Sequence, residues 1–537
     1  MDFNFEDISN KFMNEGFFSE YLPPNFNLKH GMFDIFNDIP IAQKNDYIEP
    51  YKYTMSKSSK NDRRRIISLP EITAYIDTVK YMKENGFLEE LINKSLESTT
   101  SFSRLINNGE FIKHEQIYYF SDDLPDGKSS FMSNTIKKIN RAKGAIGILH
   151  VDISNFYGSI YTHLLPSIIL GYEVAMKQFK LASKNNNSSN SIENQYRKYC
   201  ELDKKIRLLN GNRTNGLLVG PMVSRVISEA LLTRIDSEIL DKNIIFTRYV
   251  DDYDIYIYDD RDIEQTTNII IEILSKYHLS LNTEKIKYTS FPYYKFENLE
   301  KIIKSYPIDN LEEDNLIQLF NTFFQLESNG TKGSIRYLIK SIPKSLKPLN
   351  NELSLFSIQK RSFSSIKMEL YTTYLLNTLV NDTNSLTKIC ELLIAEKYEN
   401  KIVIDENSEK IIENLLLSCI DSKKDLEVIW LLYLMKNLNL INLRKDIAKK
   451  VIHSKNELAI LVLIYEFSEE IYGEFINYYC ESASSWIFLY QLFLRNEIDK
   501  ETFMAKSEIK NNIKFYTKLK YRNFSFYKKI NDNPLDL

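Results

Sequence analysis

The chain contains 537 residues, of which 43% are hydrophobic and 26% are charged, and its net charge is −3. This composition excludes a disordered chain and a membrane protein, and the length predicts two or three domains. The near-neutral charge excludes a chain that is basic throughout. The longest apolar runs, residues 429–435 and 487–493, are too short to cross a bilayer, and residues 1–6 do not begin a signal peptide. We therefore expect a cytoplasmic protein with no membrane contact.

Residues 1–60 are predicted to form an irregular N-terminal segment that packs on the domain after it. The segment is rich in aromatic residues, and Pro23, Pro24, Pro40 and Pro50 interrupt any long helix. Basic residues then cluster at two places, which are Arg63-Arg64-Arg65 after Lys57 and Lys60, and Lys128, Lys137, Lys138, Arg141 and Lys143. Such patches can bind phosphates in a chain of low net charge, although ordinary solvated faces have the same composition.

Residues 61–300 mix two hydrophobic periods, which indicates an α+β domain. Runs of alternating or continuous apolar residues predict strands at 145–153, 244–249 and 253–258. Helical spacing of apolar residues predicts helices at 73–85, 224–240 and 262–277.

Residues 301–537 are predicted to be entirely helical. Strand alternation nearly disappears, and amphipathic stretches separated by short polar breaks predict helices at 314–327, 365–381, 385–398, 408–420, 425–438 and 457–467. Successive helices with such short breaks between them are typical of a stacked, repeat-like domain. The sequence has no clear period, so an irregular helical bundle fits equally well.

A pair of acids interrupts the alternating pattern of residues 244–257. Asp251 and Asp252 lie between two predicted strands, and Asp tolerates turn conformations, so we expect both carboxylates at the tip of a β-hairpin. Two unneutralised carboxylates repel each other, and a divalent cation relieves that repulsion. Oxygen ligands on a rigid hairpin suit Mg²⁺. A solvated turn remains the alternative when the hairpin is considered alone.

A third acid, Asp152, is predicted at the carboxyl end of a buried strand. A two-metal site for nucleotidyl transfer needs acids from different elements around ions about 4 Å apart. Asp152 together with Asp251 meets this requirement, and Asp252 completes the cluster. The pattern predicts two Mg²⁺ ions, with Mn²⁺ as a possible substitute.

Five motifs, in this order, resemble those of reverse transcriptases. They are Arg64-Arg65-Ile66-Ile67-Ser68-Leu69-Pro70, residues 152–160 with Phe156-Tyr157, residues 215–224 with Gly220-Pro221 and Ser224, Tyr249-Val250-Asp251-Asp252, and residues 279–285 with Lys285. The resemblance implies a fingers and palm fold. It also implies catalytic acids at Asp152, Asp251 and Asp252, and metal ligation by these acids and by Ile153.

The resemblance further implies a binding site for deoxynucleoside triphosphates (dNTPs). The residues that it assigns to this site are Arg64, Arg65, Tyr157, Gly220, Ser224 and Lys285. Phosphoryl transfer depends mainly on positioning and on neutralising charge, which Arg65 and Lys285 would provide. Gly220 allows a close backbone approach. Bulk at Tyr157, where a ribose 2′-hydroxyl must fit, predicts synthesis of DNA.

At two positions the chain differs from many reverse transcriptases, which narrows the group of these enzymes that it resembles. Retroviral and intron-type enzymes usually have Gln where this chain has Val219, and Pro where it has Arg225. The motifs are more similar to bacterial abortive-infection (Abi) and related defence reverse transcriptases, in which a HEAT-like helical domain replaces the thumb. This similarity implies homo-oligomers that act in phage defence and synthesise DNA without a template from a protein hydroxyl, to which the product stays attached. The priming residue is unassigned, and Tyr47, Tyr51 and Tyr53 are candidates because they lie in a proline-flanked stretch.

Two alternatives stay open at this stage. Other defence enzymes of this kind copy an associated noncoding RNA, and the basic run at 128–143 would favour that function if it lined a duplex-sized groove. A catalytically silent palm-fold scaffold is a second alternative, although Asp152, Asp251, Asp252, Arg65 and Lys285 are all present.

Overall fold

The structure is a computed structural model that describes residues 5–28, 41–42, 46–56, 64–103, 105–107, 110–111, 130–182, 191–294, 297–306, 313–345, 365–440 and 442–529. Lys57, Lys60, Arg63 and Lys128 of the predicted basic patches lie outside these residues. No helix in the described part of the chain is both long and apolar enough to cross a membrane.

The strands form one four-stranded sheet and two hairpins. They are β1 (Tyr51–Ser56), β2 (Arg64–Leu69), β3 (Ile106–Asn107), β4 (Glu110–Phe111), β5 (Gly147–Asp152), β6 (Phe246–Tyr249), β7 (Asp252–Ile257) and β8 (Lys287–Ser290). β1 pairs with β2, and β3 with β4. The strand order of the four-stranded sheet is β6-β7-β5-β8, and all its neighbours are antiparallel.

Helices make up most of the remaining described chain. The first ten are α1 (Phe5–Asn14), α2 (Ile72–Glu84), α3 (Phe87–Leu96), α4 (Ser130–Arg141), α5 (Phe156–Ser159), α6 (Ser167–Leu170), α7 (Tyr172–Ala182), α8 (Ser191–Leu209), α9 (Met222–Leu240) and α10 (Asp262–Lys276). The others are α11 (Leu299–Lys304), α12 (Glu313–Ser328), α13 (Ser334–Ser345), α14 (Ser365–Asn381), α15 (Leu386–Tyr398), α16 (Glu406–Asp421), α17 (Asp425–Asn437), α18 (Lys445–His453), α19 (Glu457–Glu466), α20 (Glu469–Tyr472), α21 (Ile476–Ser482), α22 (Trp486–Leu494), α23 (Lys500–Ser507) and α24 (Ile513–Tyr521).

The four-stranded sheet is covered on both faces, which explains why β5 is almost continuously apolar. Helix α9 packs on one face, where Tyr253 of β7 donates a hydrogen bond to Asp236. On the other face, Ile148 and Tyr256 form a small core with Ala142 and Ala145, which directly follow α4. The predicted strands and helices of this region are confirmed, with ends that shift by a few residues.

The N-terminal segment differs from the irregular stretch that the sequence predicts. Its prolines allow a helix, α1, and a strand, β1, on either side of them. Because β1 pairs with β2, one hairpin crosses the predicted boundary at residue 60. The register from Tyr51↔Leu69 to Ser56↔Arg64 joins the N-terminal segment directly to the domain after it.

The helices from α12 to α24, here called the helical half, pack mainly on their neighbours in the chain. The six helices predicted between residues 314 and 467 are present. Helix α17 is the most enclosed of them, with ten consecutive buried residues from Leu426 to Met435, because α15, α16, α19 and β1 all contact it. Contacts between successive helices fit a stack, and a HEAT-like repeat stays a prediction.

Candidate active site

The β6–β7 hairpin carries two of the three acids. Its loop consists of Val250 and Asp251, and Asp252 is the first residue of β7, so the turn lies one residue earlier than the sequence predicts. Val250 has a φ of +53°. A β-branched residue rarely adopts this left-handed conformation, so the turn is strained and must be held by its surroundings.

The structure brings the three acids together. One carboxylate oxygen from each of Asp152, Asp251 and Asp252 lies within 4.8 Å of the others. Asp152 and Asp252 face each other across β5 and β7, and the Ile153 amide donates to the Asp251 carbonyl at 3.2 Å. This arrangement, here called the acidic triad, combines acids from two elements, as the motif spacing predicts.

Burial and charge repulsion at the triad raise the pKa values of Asp251 and Asp252. Burial, followed by the charge of Asp251, raises the pKa of Asp252 to about 7. Burial and the charge of Asp152 also raise the pKa of Asp251, although Arg65 and Lys285 partly oppose this shift. A cluster that resists its own ionisation gains stability from a bound cation.

Lys285 supplies positive charge directly at the triad. Its Nζ lies 2.7 Å from Asp152 Oδ2, and Asn282 Nδ2 donates to the same oxygen at 3.2 Å. The segment that carries both residues is fixed by its backbone, because the Asn282 amide donates to the Asp152 carbonyl at 2.7 Å. The predicted motif at 279–285 therefore lies beside β5, and Asn282 joins the site without having been predicted.

Arg64 and Arg65 project to opposite sides of β2, as alternate strand residues do. Arg65 is exposed and lines the cavity above the triad. Arg64 also borders this cavity, but its guanidinium pairs with Glu427 at the start of α17, with Nη2 2.7 Å from Oε2. Nucleotide binding by Arg64 stays a prediction, whereas its contact with the helical half is a feature that the sequence did not indicate.

Tyr157 lines the cavity, and its ring position is fixed by α9. Ser228 Oγ donates to the Tyr157 hydroxyl at 3.1 Å. Burial raises the pKa of this hydroxyl, so it stays protonated.

Gly220 also lines the cavity. A glycine is necessary there because of β2, since a Cβ at Gly220 would lie 2.9 Å from the Ser68 carbonyl oxygen. Ser224 is buried in α9, and the next residue, Arg225, reaches the cavity wall.

The three candidate priming tyrosines do not line the cavity. Tyr53 is 1% exposed, and Tyr51 packs towards Asp425 and Glu457 of the helical half. Tyr47 is 64% exposed but lies elsewhere on the surface. The described tyrosines that do line the cavity are Tyr21, Tyr157, Tyr249 and Tyr433.

The cavity measures about 1140 Å³ and has walls from four parts of the chain. The sheet and the β6–β7 loop provide the triad, β2 provides Arg65, and the N-terminal segment provides residues such as Tyr21. The helical half closes a further side with Lys388, Glu391, Ile394 and Tyr433. By contrast, the described basic residues of α4 lie away from the cavity, and Lys138 pairs with Asp254 on the outer face of the sheet.

The residues present fit a divalent metal ion. Three carboxylates with adjacent ligand atoms form the hard oxygen donor set that Mg²⁺ prefers, and a bound cation would offset the repulsion that raises the pKa values of Asp251 and Asp252. Asp152, Asp251 and Asp252 would hold the metal.

Comparison with known proteins gives the class of the domain. The family described as reverse transcriptase (RNA-dependent DNA polymerase) matches residues 102–342. The matched stretch contains the acidic triad, Tyr157 and Lys285, and it begins after β2. The chain therefore carries a reverse transcriptase domain at residues 102–342, and such a domain indicates a nucleotidyltransferase of the reverse transcriptase and DNA polymerase kind.

Solved structures similar to the chain include three structures of telomerase. Telomerase from Candida albicans with a TWJ fragment of telomeric RNA is 14% identical over 71% of this chain and 63% of its own, with a TM-score of 0.29. Apo telomerase from Candida tropicalis is 10% identical over 85% of this chain and 78% of its own, with a TM-score of 0.33. The same telomerase with a TWJ fragment of telomeric RNA is 12% identical over 76% of this chain and 68% of its own, with a TM-score of 0.31. The chain thus spans 63% of the first telomerase, and likenesses this low carry no argument about its function. No curated protein matches the chain.

Proposed function

We propose that the protein is a DNA polymerase that joins dNTPs by two-metal nucleotidyl transfer. The observation that carries this proposal is the acidic triad, whose three carboxylates offer ligand atoms within 4.8 Å of one another on the wall of a cavity. An intact triad beside Lys285 also argues against a silent scaffold, because a scaffold would not need three mutually repelling acids at one point.

Each residue around the triad has a defined task in this proposal. Bound divalent cations would neutralise phosphate charge and make the attacking hydroxyl a better nucleophile. Arg65 and Lys285 add fixed positive charge beside the triphosphate, which is where charge develops during the transfer. Asn282 holds the Asp152 carboxylate in place through its amide.

Preference for deoxynucleotides rests on Tyr157. Its ring lines the cavity close to the triad and packs edge-on against the ring of Phe156, and Ser228 donates a hydrogen bond to its hydroxyl. A fixed aromatic ring leaves no room for a 2′-hydroxyl, so ribonucleotides would be rejected by a steric clash rather than by lost hydrogen bonds.

We further propose that synthesis needs no external template, that a protein hydroxyl primes it, and that the enzyme acts as a homo-oligomer in anti-phage defence. The support for this finer proposal is the resemblance of the motifs to Abi reverse transcriptases. A cavity of about 1140 Å³ with walls from the N-terminal segment and the helical half also fits a nucleotide and a strand end better than a length of duplex. The priming hydroxyl is unassigned.

The experiment uses purified, nuclease-treated protein with Mg²⁺ and each labelled dNTP, without template or primer, followed by a denaturing gel. Label that migrates with the protein and is released by protease supports protein-primed, untemplated synthesis, and Asp251→Asn should abolish it. Label that appears only after co-purified RNA is restored supports the alternative, an RNA-templated enzyme with a noncoding RNA partner. Absence of product under both conditions contradicts polymerisation.

A further inference from the structure

Arg248 is fully buried on β6 of the β6–β7 hairpin, two residues before Val250. Its guanidinium forms salt bridges with Glu229 at 2.9 Å and Asp236 at 2.8 Å, both on α9. Burying a cation beside two carboxylates is costly unless every polar atom is paired, so an apolar residue would be the expected occupant of this strand position. A buried arginine here therefore calls for an explanation beyond packing.

The hydrogen bonds of Arg248 point to that explanation. Nε and Nη2 donate to Asp236, both terminal nitrogens donate to Glu229, and Nη1 also donates to the Val250 carbonyl at 2.9 Å. These contacts use all five N–H groups of the guanidinium. The acids of α9 thus orient Arg248 so that its remaining N–H holds the peptide of the hairpin turn.

The backbone amide of Val250 is held as well, by a second hydrogen bond. The Val250 amide donates to Ser103 Oγ at 2.6 Å. Ser103 is itself fixed, because the backbone of residues 100–103 runs beside β6 and is bonded to it through Arg248 N and Arg248 O. Both polar groups of a strained β-branched residue are therefore clamped, directly before Asp251.

We propose that Arg248 and Ser103 are positioning residues that keep Val250 in its left-handed conformation, and that this conformation holds the Asp251 carboxylate beside Asp152. The inference rests on the metal-dependent function proposed above. Neither residue touches the reacting atoms. They act through the backbone of the turn, and without them Val250 would relax to negative φ and move Asp251 out of the triad.

The test measures the affinity for Mn²⁺, titrated into the full-length protein and followed by the electron paramagnetic resonance of the free ion. Ser103→Ala should weaken binding about tenfold, as loss of an outer support of a metal site commonly does. Arg248→Lys should weaken it at least as much. Ser95→Ala, which removes another buried hydroxyl with a 2.6 Å bond, is the control and should leave the affinity unchanged.

A second substitution separates positioning from general stability. Glycine adopts positive φ without strain, so adding Val250→Gly to Ser103→Ala should restore most of the lost affinity. If Ser103 were merely structural, the two substitutions would add their losses, and this result, or unchanged affinity in Ser103→Ala, would overturn the inference. Wild-type protein that binds no Mn²⁺ would instead overturn the proposed metal site.

Discussion

Arg64 Nη2 lies 2.7 Å from Glu427 Oε2, although 363 positions separate the two residues in the chain. Glu427 also accepts a hydrogen bond from Ser56 Oγ, and its neighbour Asp425 accepts from the amide and the hydroxyl of Thr54. The start of α17 therefore holds both strands of the β1–β2 hairpin. Arg65 projects from the other side of β2 into the cavity. The helical half, by holding the hairpin, therefore determines the position of the Arg65 guanidinium.

Glu427→Gln should weaken this connection and displace Arg65. The pair is mostly enclosed, with side chains 18% and 4% exposed, so we expect a loss of about 2–3 kcal/mol in the free energy of unfolding. The KM for dNTPs should rise about threefold to tenfold with a smaller change in kcat, because binding is affected more than chemistry. Thermal unfolding and steady-state kinetics measure both effects.

The matched control is Glu474→Gln, which removes a carboxylate 3.8 Å from Lys445 on the exposed surface of the helical half. A surface pair of this kind contributes below about 1 kcal/mol, so stability and KM should stay near those of the wild type. A Glu427→Gln variant with lower stability but an unchanged KM would mean that the pair only holds the two halves together.

Mg²⁺ should raise the unfolding temperature of the wild type, because it relieves repulsion within the acidic triad. At about 100 times its dissociation constant, a ligand specific to the folded state adds about 2.7 kcal/mol. Asp251→Asn should abolish this response while leaving the metal-free protein at least as stable as the wild type. Glu264→Gln removes an exposed acid from the same domain and should preserve the response. A Mg²⁺ shift that survives in Asp251→Asn would contradict the site.

Local patterns in the sequence were enough to predict how the triad is built. The apolar run ending at Asp152 and the alternation around Asp251 each define a strand from neighbouring residues, and antiparallel pairing then brings the acids together. The order of the motifs added the positions of Lys285 and Tyr157. These features depend on periodicity within about ten residues, which a single sequence displays directly.

Partners distant in the chain were not predictable in the same way. Alternation along β2 implies that Arg64 and Arg65 face opposite sides, but nothing in the sequence indicates that one side meets Glu427. The clamp on Val250 was also missed, although a signal existed: Arg248 occupies a buried strand position where a charged residue requires partners. Naming those partners requires the packing of α9 on the sheet, which no local pattern encodes.

Tyr157→Val should admit ribonucleotides, because it removes the ring that we propose fills the space for a 2′-hydroxyl. We expect the ratio of kcat/KM for dNTP over rNTP to fall by at least about tenfold, mainly through faster use of rNTPs. Tyr157→Phe is the matched control, since it keeps the ring and loses only the hydrogen bond from Ser228. It should retain most of the discrimination. Equal selectivity in the valine variant and the wild type would remove Tyr157 from sugar selection.

Glu396 should make the stability of the helical half depend on pH. Its side chain is 3% exposed, and burial raises the pKa of this carboxyl from 4.5 to about 7. Tyr371 donates a hydrogen bond to it at 3.4 Å, and Lys401 lies 3.7 Å away, but neither contact offsets the burial. In the folded protein Glu396 is therefore neutral over a pH range in which it is ionised in the unfolded chain.

Because the folded pKa is the higher one, the stabilising effect is complete below pH 4.5 and is lost as the pH rises through 7. The full loss is about 3 kcal/mol. Glu396→Gln lacks this titration, so its unfolding temperature relative to the wild type should increase between pH 5 and pH 8, measured by thermal melts in a buffer series. Glu470→Gln changes an exposed carboxyl and should follow the wild type throughout. A constant difference between Glu396→Gln and the wild type would show that Glu396 is ionised in the folded protein at every pH tested, with Lys401 as its counter-ion.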